Sequence, residues 1–450
     1  MDNSTPKNDQ LKRTLGPLML WGLGVGYVIS GMYFGWNLGL EKGGTLGLSI
    51  ATVFVIIMYV TFTFGYTELA CAIPKAGGAF DYAHRALGKR WGFLGGMAQN
   101  IEFIFAPPAI AFAIGAYLNL FIPSLSVLSI AITSYFIFTA LNIYGVQAAA
   151  SFELFITVIA VIGLIIFAGA TLPHFEFANL KINALPNGFE GIFAAIPFAI
   201  WFFLAIEGVA NVAEETINPQ RNVLIGFGSA ILTLVVLCIL TFSSAVGVAG
   251  WETVVFPAGE VIPSDSPLPL ALEAILGKYH ILYRVLIVVG LFGLVASFHG
   301  IILAAGRATF EFGRFGYAPK QLGKVQPNFK TPANALLFNM GIGIIALITG
   351  KTGEIITIAC FGALTLYIIS MISLFALRKK EPQMERPFRV PLFPVFPILA
   401  LLIATLALAA ITVNNLTIAG IYFGIMALSF LWFYFYVEKR TQEPAPKEEI

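Results

Sequence analysis

The sequence predicts an all-α integral membrane protein of about twelve transmembrane helices, and three observations carry that reading. Hydrophobic residues fill 58% of the 450 positions and charged residues only 11%, against roughly a quarter charged in a soluble domain; the mean hydropathy is +0.85. Apolar runs of about 20 residues, the length a helix needs to cross a bilayer, recur along the whole chain. Basic residues gather in alternate connections, as the positive-inside rule requires.

In chain order the apolar runs fall near 16–38, 47–73, 92–121, 125–144, 151–171, 190–212, 222–249, 281–306, 333–350, 354–377, 390–412 and 416–437. The first fourteen residues are polar and lack a signal-peptide h-region, so the first run is read as a retained span. With the N-terminus inside, the even connections and both tails hold 21 basic residues. The opposite side holds five (Lys42, Lys181, Lys278, Arg284, Lys351), and 21 + 5 accounts for all 26. That asymmetry places both termini on the cytoplasmic side of a cytoplasmic membrane. The expected division is a cytoplasmic tail at 1–14, a transport core of helices 1–10 at 15–380, helices 11–12 at 381–437, and a Pro- and Glu-rich disordered tail at 438–450. The basic, Pro-rich stretch from Pro382 to Pro397 reads as interfacial anchoring. Cys71, Cys238 and Cys360 sit in apolar runs without metal or redox spacing and read as small core residues.

Two runs are interrupted at mid-depth. Run one contains Ser30-Gly31-Met32-Tyr33-Phe34-Gly35, and run six contains Ala205-Ile206-Glu207-Gly208. Interrupted helices at matching positions point to a five-plus-five inverted repeat, leucine-transporter-like, with its site at the midplane and two extra helices beyond. Glycine is also tolerated in membrane helices for packing alone. The glutamate beside the second interruption favours a functional break, because an intramembrane charge is expensive. Gly22-x-Gly24-x-Gly26 is not a dinucleotide loop, since no strand precedes it and Tyr27 follows.

Two stretches, Glu68-Leu69-Ala70 with Pro74-x-Ala76-Gly77-Gly78-x-Phe80-x-Tyr82 and Arg85-Ala86-x-Gly88, and Phe203 through Glu207 to Glu214-Glu215 and Asn218-Pro219-Gln220-Arg221, resemble the amino acid–polyamine–organocation transporter superfamily. Arg307 with Gly313-Arg314-x-Gly316 and Pro319 adds a weaker match. Span one, from Trp21 to Trp36-Asn37, is most similar to the ethanolamine permease branch. The resemblance implies alternating access, with spans 1, 2, 6 and 7 rocking against spans 3, 4, 8 and 9 around one central site.

The residues that follow are the expected substrate site: Ile29, Ser30, Gly31, Tyr33, Glu102, Trp201, Phe202, Ala205, Ile206, Glu207 and Gly208. Glu207 suits an ammonium group; the competing reading is a structural carboxylate bonded to amides of the second half-helix. Relatives that bind amino acids usually show Gly-small-Gly in span one, whose bare amides cradle a carboxylate. Here the triplet is Ile29-Ser30-Gly31, and a β-branched residue stiffens and fills that nest. A substrate with an amine and no carboxylate, ethanolamine first, is favoured over an amino acid or a polyamine. Glu102 is expected near Glu207, where two carboxylates in low dielectric resist ionising together. With Tyr367 they form a candidate proton-coupled gate. His299 is a proton-relay candidate, or a packing histidine. Many proton-coupled relatives carry a lysine matching Ala160, so three modes stay open: another group takes the proton, transport is uncoupled, or substrates exchange. Aromatic residues Trp201, Phe202 and Phe203 can stack on a cation or simply pack. Glu68, Glu214, Glu215, Arg221, Arg307 and Arg314 are candidate inner-gate ion pairs, or a solvated rim.

The expected partners are a small-molecule amine, protons as a coupling ion, and membrane lipids, with no nucleic acid and no cofactor. An integral-membrane enzyme is disfavoured by four scattered histidines (His84, His174, His280, His299) and no zinc spacing. A channel would favour a symmetric lined pore, and no ATP-binding loop supports primary pumping.

Overall fold

A computed structural model describes residues 13–75, 77–144 and 149–438. The first twelve residues of the expected N-terminal tail, Ala76, the C-terminal tail from 439 and the Glu214 side chain lie outside the described residues. Ten of the described helices are long and apolar enough to cross a membrane. Two shorter ones, Pro17–Val28 and Ala333–Ile348, stand where runs one and nine predict spans. Among the described residues every named element is helical, and the one β-bridge, Leu15 with Thr216, belongs to no named strand.

Span 1 is Pro17–Val28, continued after Ile29 by the single turn Ser30–Tyr33. Its apolar character comes from Leu20, Val25 and Val28, and Pro17 stands in its first turn, where the missing N–H costs nothing. The chain is extended at Phe34 and left-handed at Gly35 (φ 88°) before helix resumes at Asn37. That helix, Asn37–Ala72, finishes span 1, bends at Gly44 and becomes span 2. An amphipathic helix, Ala79–Leu87, leads to span 3 (Lys89–Asn119), span 4 (Val127–Tyr144) and span 5 (Ala149–Thr171).

Span 6 repeats the pattern of span 1. Helices Gly188–Ala194 and Ile196–Trp201 stop at Trp201, Ala205 takes a left-handed conformation (φ 75°), and a tighter 3₁₀ segment runs Ile206–Glu215. Span 7 is Pro219–Ala249, span 8 Ile281–Arg314, span 9 Ala333–Ile348 and span 10 Thr352–Lys380. Spans 11 (Val395–Asn414) and 12 (Leu416–Trp432, ending in a π-turn to Val437) lie outside the repeat. Span 3 and span 10 are the most buried of the long helices and pack against each other at the centre. Glu438, expected to open the disordered tail, instead pairs with Arg90 at 3.0 Å, because the π-turn swings it back over the start of span 3.

The 382–397 connection does more than anchor. Glu68, 1% exposed at the end of span 2, takes both arms of Arg378 (2.9 and 2.6 Å), the Val390 amide (2.7 Å) and Arg386 at 3.4 Å. Arg85 forks onto Glu381 nearby, at 3.1 and 2.6 Å. Spans 2 and 10 are thereby tied to the connection into span 11.

The connection between spans 7 and 8 closes over the centre. Asn37 donates to the Ser264 carbonyl (2.7 Å) and Thr352 donates to Asp265 (2.9 Å), joining this connection to the resumed span 1 and to span 10. Burial pushes the Asp265 carboxyl from 3.8 up to about 6, partly offset by the Thr352 hydroxyl. A raised acid holds its extra proton in the folded state, so this group's contribution to stability falls as pH rises from about 4 through about 6. Between those limits the melting temperature of the wild type is expected to drop by about 1–3 °C relative to Asp265→Asn. Parallel pH profiles of the two proteins would refute this assignment in a thermal-shift titration.

Candidate functional site

The two interrupted spans cross at their breaks. A Cβ on Gly31 would run into the Trp201 carbonyl, so only glycine lets span 1 lie against the end of the first span-6 half-helix. Trp201 packs edge-on to Phe34 (5.4 Å, 77°), and its indole lies against Gly35 with no hydrogen bond to its N–H. Ala205, left-handed, turns the chain so that Glu207 projects toward spans 3 and 10 rather than continuing a helix face.

Glu207 is 1% exposed and accepts a hydrogen bond from the Tyr367 hydroxyl of span 10 at 3.0 Å. Tyr367 in turn meets Tyr59 of span 2 at 3.0 Å, and Tyr59 reaches the Ile200 carbonyl at 3.5 Å. Glu102, fully buried on span 3, faces the Glu207 carboxyl and the Ala205 backbone, while among the described residues neither of its oxygens has a partner of ordinary hydrogen-bond geometry. Two carboxyl groups, two phenols and the end of a broken helix therefore share one buried region. Such a cluster is stable when a proton or a bound cation offsets the second carboxylate.

On the span-1 side five backbone donors are already committed. Ile29 N–H bonds Val25 O (2.8 Å), Ser30 N–H bonds Ser297 Oγ (2.9 Å), Met32 N–H bonds Ile29 O (3.0 Å) and Phe34 N–H bonds Ser30 O (3.1 Å). Gly35 N–H is taken by Asn37 Oδ1 at 3.1 Å. Ser297 of span 8 completes the arrangement by donating to Gly26 O at 2.6 Å.

The other expected residues divide. Ile206 and Gly208 are buried beside Glu207, and Gly208 takes the Tyr27 ring against it. Tyr33 is not at the carboxyl pair: its hydroxyl donates to Ala160 O of span 5 at 2.7 Å, because the turn at Ser30–Tyr33 aims it at spans 5 and 8. Phe202 stacks on Trp36 (5.8 Å, 19°), and Phe203 lies on Tyr59 (5.3 Å). His299 also stands apart, 3.6 Å from Glu153 of span 5. Glu153 was missed by sequence reasoning. It falls near the start of span 5, where an acid normally reads as interfacial, and only the packing of spans 1 and 8 around it buries it to 1% exposed. Arg307 pairs with Glu215 at 2.9 Å and Arg314 with Glu311 at 2.9 Å. The three cysteines are all buried and unbridged, and Cys360 Sγ lies 3.3 Å from the Pro197 carbonyl.

Comparison with known proteins agrees with this architecture. A family model described as amino acid permease matches residues 15–436. An uncharacterized transporter of Rhizobium meliloti (strain 1021) is 27% identical over 459 residues, covering 97% of this chain and 95% of the relative. A branched-chain amino acid permease of Bacillus subtilis (strain 168) is 24% identical, with 86% of each chain covered. A methylthioribose transporter of the same organism is 26% identical over 86% of this chain and 85% of its own. All three are named as transporters or permeases and none as an enzyme.

Proposed function

The chain belongs to the amino acid permease family, and we propose that it is a secondary transporter importing a small amine, ethanolamine first, across the cytoplasmic membrane by alternating access. The basic-residue asymmetry supports a topology with both termini in the cytoplasm.

The observation that carries the substrate reading is the pairing of two buried carboxyl groups with a span-1 break at which five of the amides are already bonded. Glu207 and Glu102 offer one ammonium group its countercharge. Opposite them, the donors at Ile29, Ser30, Met32, Phe34 and Gly35 are engaged within the protein, which leaves little to hold a carboxylate. Ethanolamine matches that inventory with one ammonium for Glu207 and one hydroxyl for the Ser30 side chain or the carbonyls beside Gly31. Backbone carbonyls where the first span-6 half-helix ends at Trp201 take the remaining ammonium hydrogens. Trp201 covers the cation, and Tyr367, already on Glu207, opens and closes the cytoplasmic side. A relative named for methylthioribose supports a cargo other than an amino acid on this fold.

The second reading is an amino-acid permease, favoured by the relative named for branched-chain amino acids. The deciding measurement is uptake of radiolabelled ethanolamine into liposomes holding the purified protein, with unlabelled ethanolamine, alanine, leucine, lysine and putrescine as competitors. Competition by ethanolamine with no effect of the amino acids is the expected result. Strong competition by alanine or leucine with none by ethanolamine would overturn the amine reading in favour of the second.

A further inference from the structure

A second titratable site lies away from the carboxyl pair, and we propose that Glu153 and His299 form a proton-binding pair that couples proton movement to the swing of span 1. The proposal rests on the transport reading above but not on which amine or amino acid is carried.

The pair is built where spans 1, 5 and 8 meet. Glu153 Oε2 and His299 Nδ1 are 3.6 Å apart, with Glu153 1% and His299 9% exposed. Among the described residues neither Glu153 oxygen has a hydrogen bond of ordinary length. The phenylalanine rings of Phe138 and Phe152 stand edge-on to the imidazole, each 6.3 Å away. From span 1 the pair is faced by Tyr27, whose ring also packs on Gly300. From span 4 it is faced by Asn142, whose side chain reaches His299 O at 3.5 Å. Arg307 further along span 8 and Glu215 after span 6 are the charged neighbours on the Tyr27 side, and they are bonded to each other at 2.9 Å. Thr157, one turn from Glu153, is held by the Gly22 carbonyl at 3.2 Å.

This pair touches the moving parts directly. Glu153 Oε1 lies 2.6 Å from where a Cβ on Gly26 would stand, so the carboxyl lies directly against the span-1 backbone. The Gly26 carbonyl accepts from Ser297, two residues before His299, and Ser297 accepts from the Ser30 amide at the span-1 break. A change of charge at Glu153–His299 is therefore two hydrogen bonds away from the backbone at the proposed substrate site.

The charge arithmetic gives the coupling. With one proton the pair is neutral overall, as carboxylate with imidazolium or as carboxyl with imidazole, and it fits the burial of both side chains. Without that proton it carries one negative charge, which only water or a cation can offset. The unloaded pair thus favours a state in which span 1 has moved and water reaches it. The proton arrives from water on one side and returns to water on the other.

The test uses wild type, Glu153→Gln and His299→Gln in liposomes. Two assays are run with labelled ethanolamine and with labelled leucine: counterflow at equal pH on both sides, and net uptake under an inward acid gradient. The expected result is several-fold gradient stimulation in the wild type, counterflow retained in both variants, and stimulation lost in both. Wild-type counterflow without gradient stimulation overturns the proton site alone, as does stimulation that persists in Glu153→Gln. Loss of counterflow as well in both variants overturns it too, by making the pair structural. A wild type that exchanges leucine and not ethanolamine overturns the amine reading while the gradient comparison still decides the pair. A wild type that carries neither overturns both.

Discussion

Glu207→Gln is expected to lower uptake at subsaturating substrate by at least about 100-fold, the largest loss any single conservative change should produce here. Glutamine keeps the shape and can still accept the Tyr367 hydroxyl that now sits 3.0 Å from Glu207. What disappears is the charge. Removing one partner of a buried ionic contact costs about 3–5 kcal/mol, and about 1.4 kcal/mol is a factor of ten. The fold should not suffer, because a buried amide is cheaper to desolvate than a carboxylate. The signature is therefore a melting temperature at or above the wild type's together with uptake near background. Transport within threefold of wild type would show that Glu207 only braces the second half of span 6. Glu102→Gln separates the two acids further. If Glu102 serves to hold a proton beside Glu207 rather than to contact the cargo, counterflow should survive in that variant while its pH dependence flattens. Unchanged transport at every pH would remove Glu102 from the mechanism.

How far these roles could be read from the chain depends on what kind of contact each residue makes. The spans were legible because a bilayer imposes length and apolarity on every one of them. Both interruptions were legible too, since Gly35 and Gly208 sit in otherwise continuous apolar runs. Their exact shape was not. The stretch Ser30–Tyr33 keeps a helical turn, and the true break comes at Phe34–Gly35, where the Asn37 side chain captures the Gly35 amide in place of a backbone carbonyl. In span 6 the helix already ends at Trp201, ahead of the Ala205 to Gly208 interruption read from the sequence. The approach of Glu102 to Glu207 followed from charge and family position. The direction of Tyr33 did not, because one turn of helix decides whether its ring meets Glu207 or span 5. Glu153 was hidden for a related reason. Position along a span says how deep a side chain sits, and only the packing of neighbouring helices says whether water reaches it.

The largest stability loss is expected from Glu68→Gln, at the junction of span 2, span 10 and the connection to span 11. Glu68 is the common anion for Arg378, with two bonds of 2.9 and 2.6 Å, and for Arg386 at 3.4 Å, whose side chain is only 5% exposed. Arg378 is further committed by lying 3.8 Å over the Phe393 ring, so it is not free to swing into water. Arg386 is likewise fixed by the Leu377 (3.0 Å), Glu381 (2.9 Å) and Met384 (3.0 Å) carbonyls. Neutralising Glu68 leaves two held guanidinium groups facing an amide, and the cost should approach the roughly 3–5 kcal/mol of a broken buried pair. A drop of about 5 °C or more in melting temperature is the expected reading. The double variant Glu68→Gln/Arg378→Gln should lose clearly less than the sum of the two single changes, because it removes an anion and a cation together. Additive losses would mean the guanidinium groups relax into solvent and the cluster is a wet rim. Substrate affinity of the surviving Glu68→Gln protein should stay near wild type, since the cluster braces spans 2 and 10 far from the Glu207 carboxyl. A change in apparent affinity larger than threefold would instead place this junction in the gating motion itself.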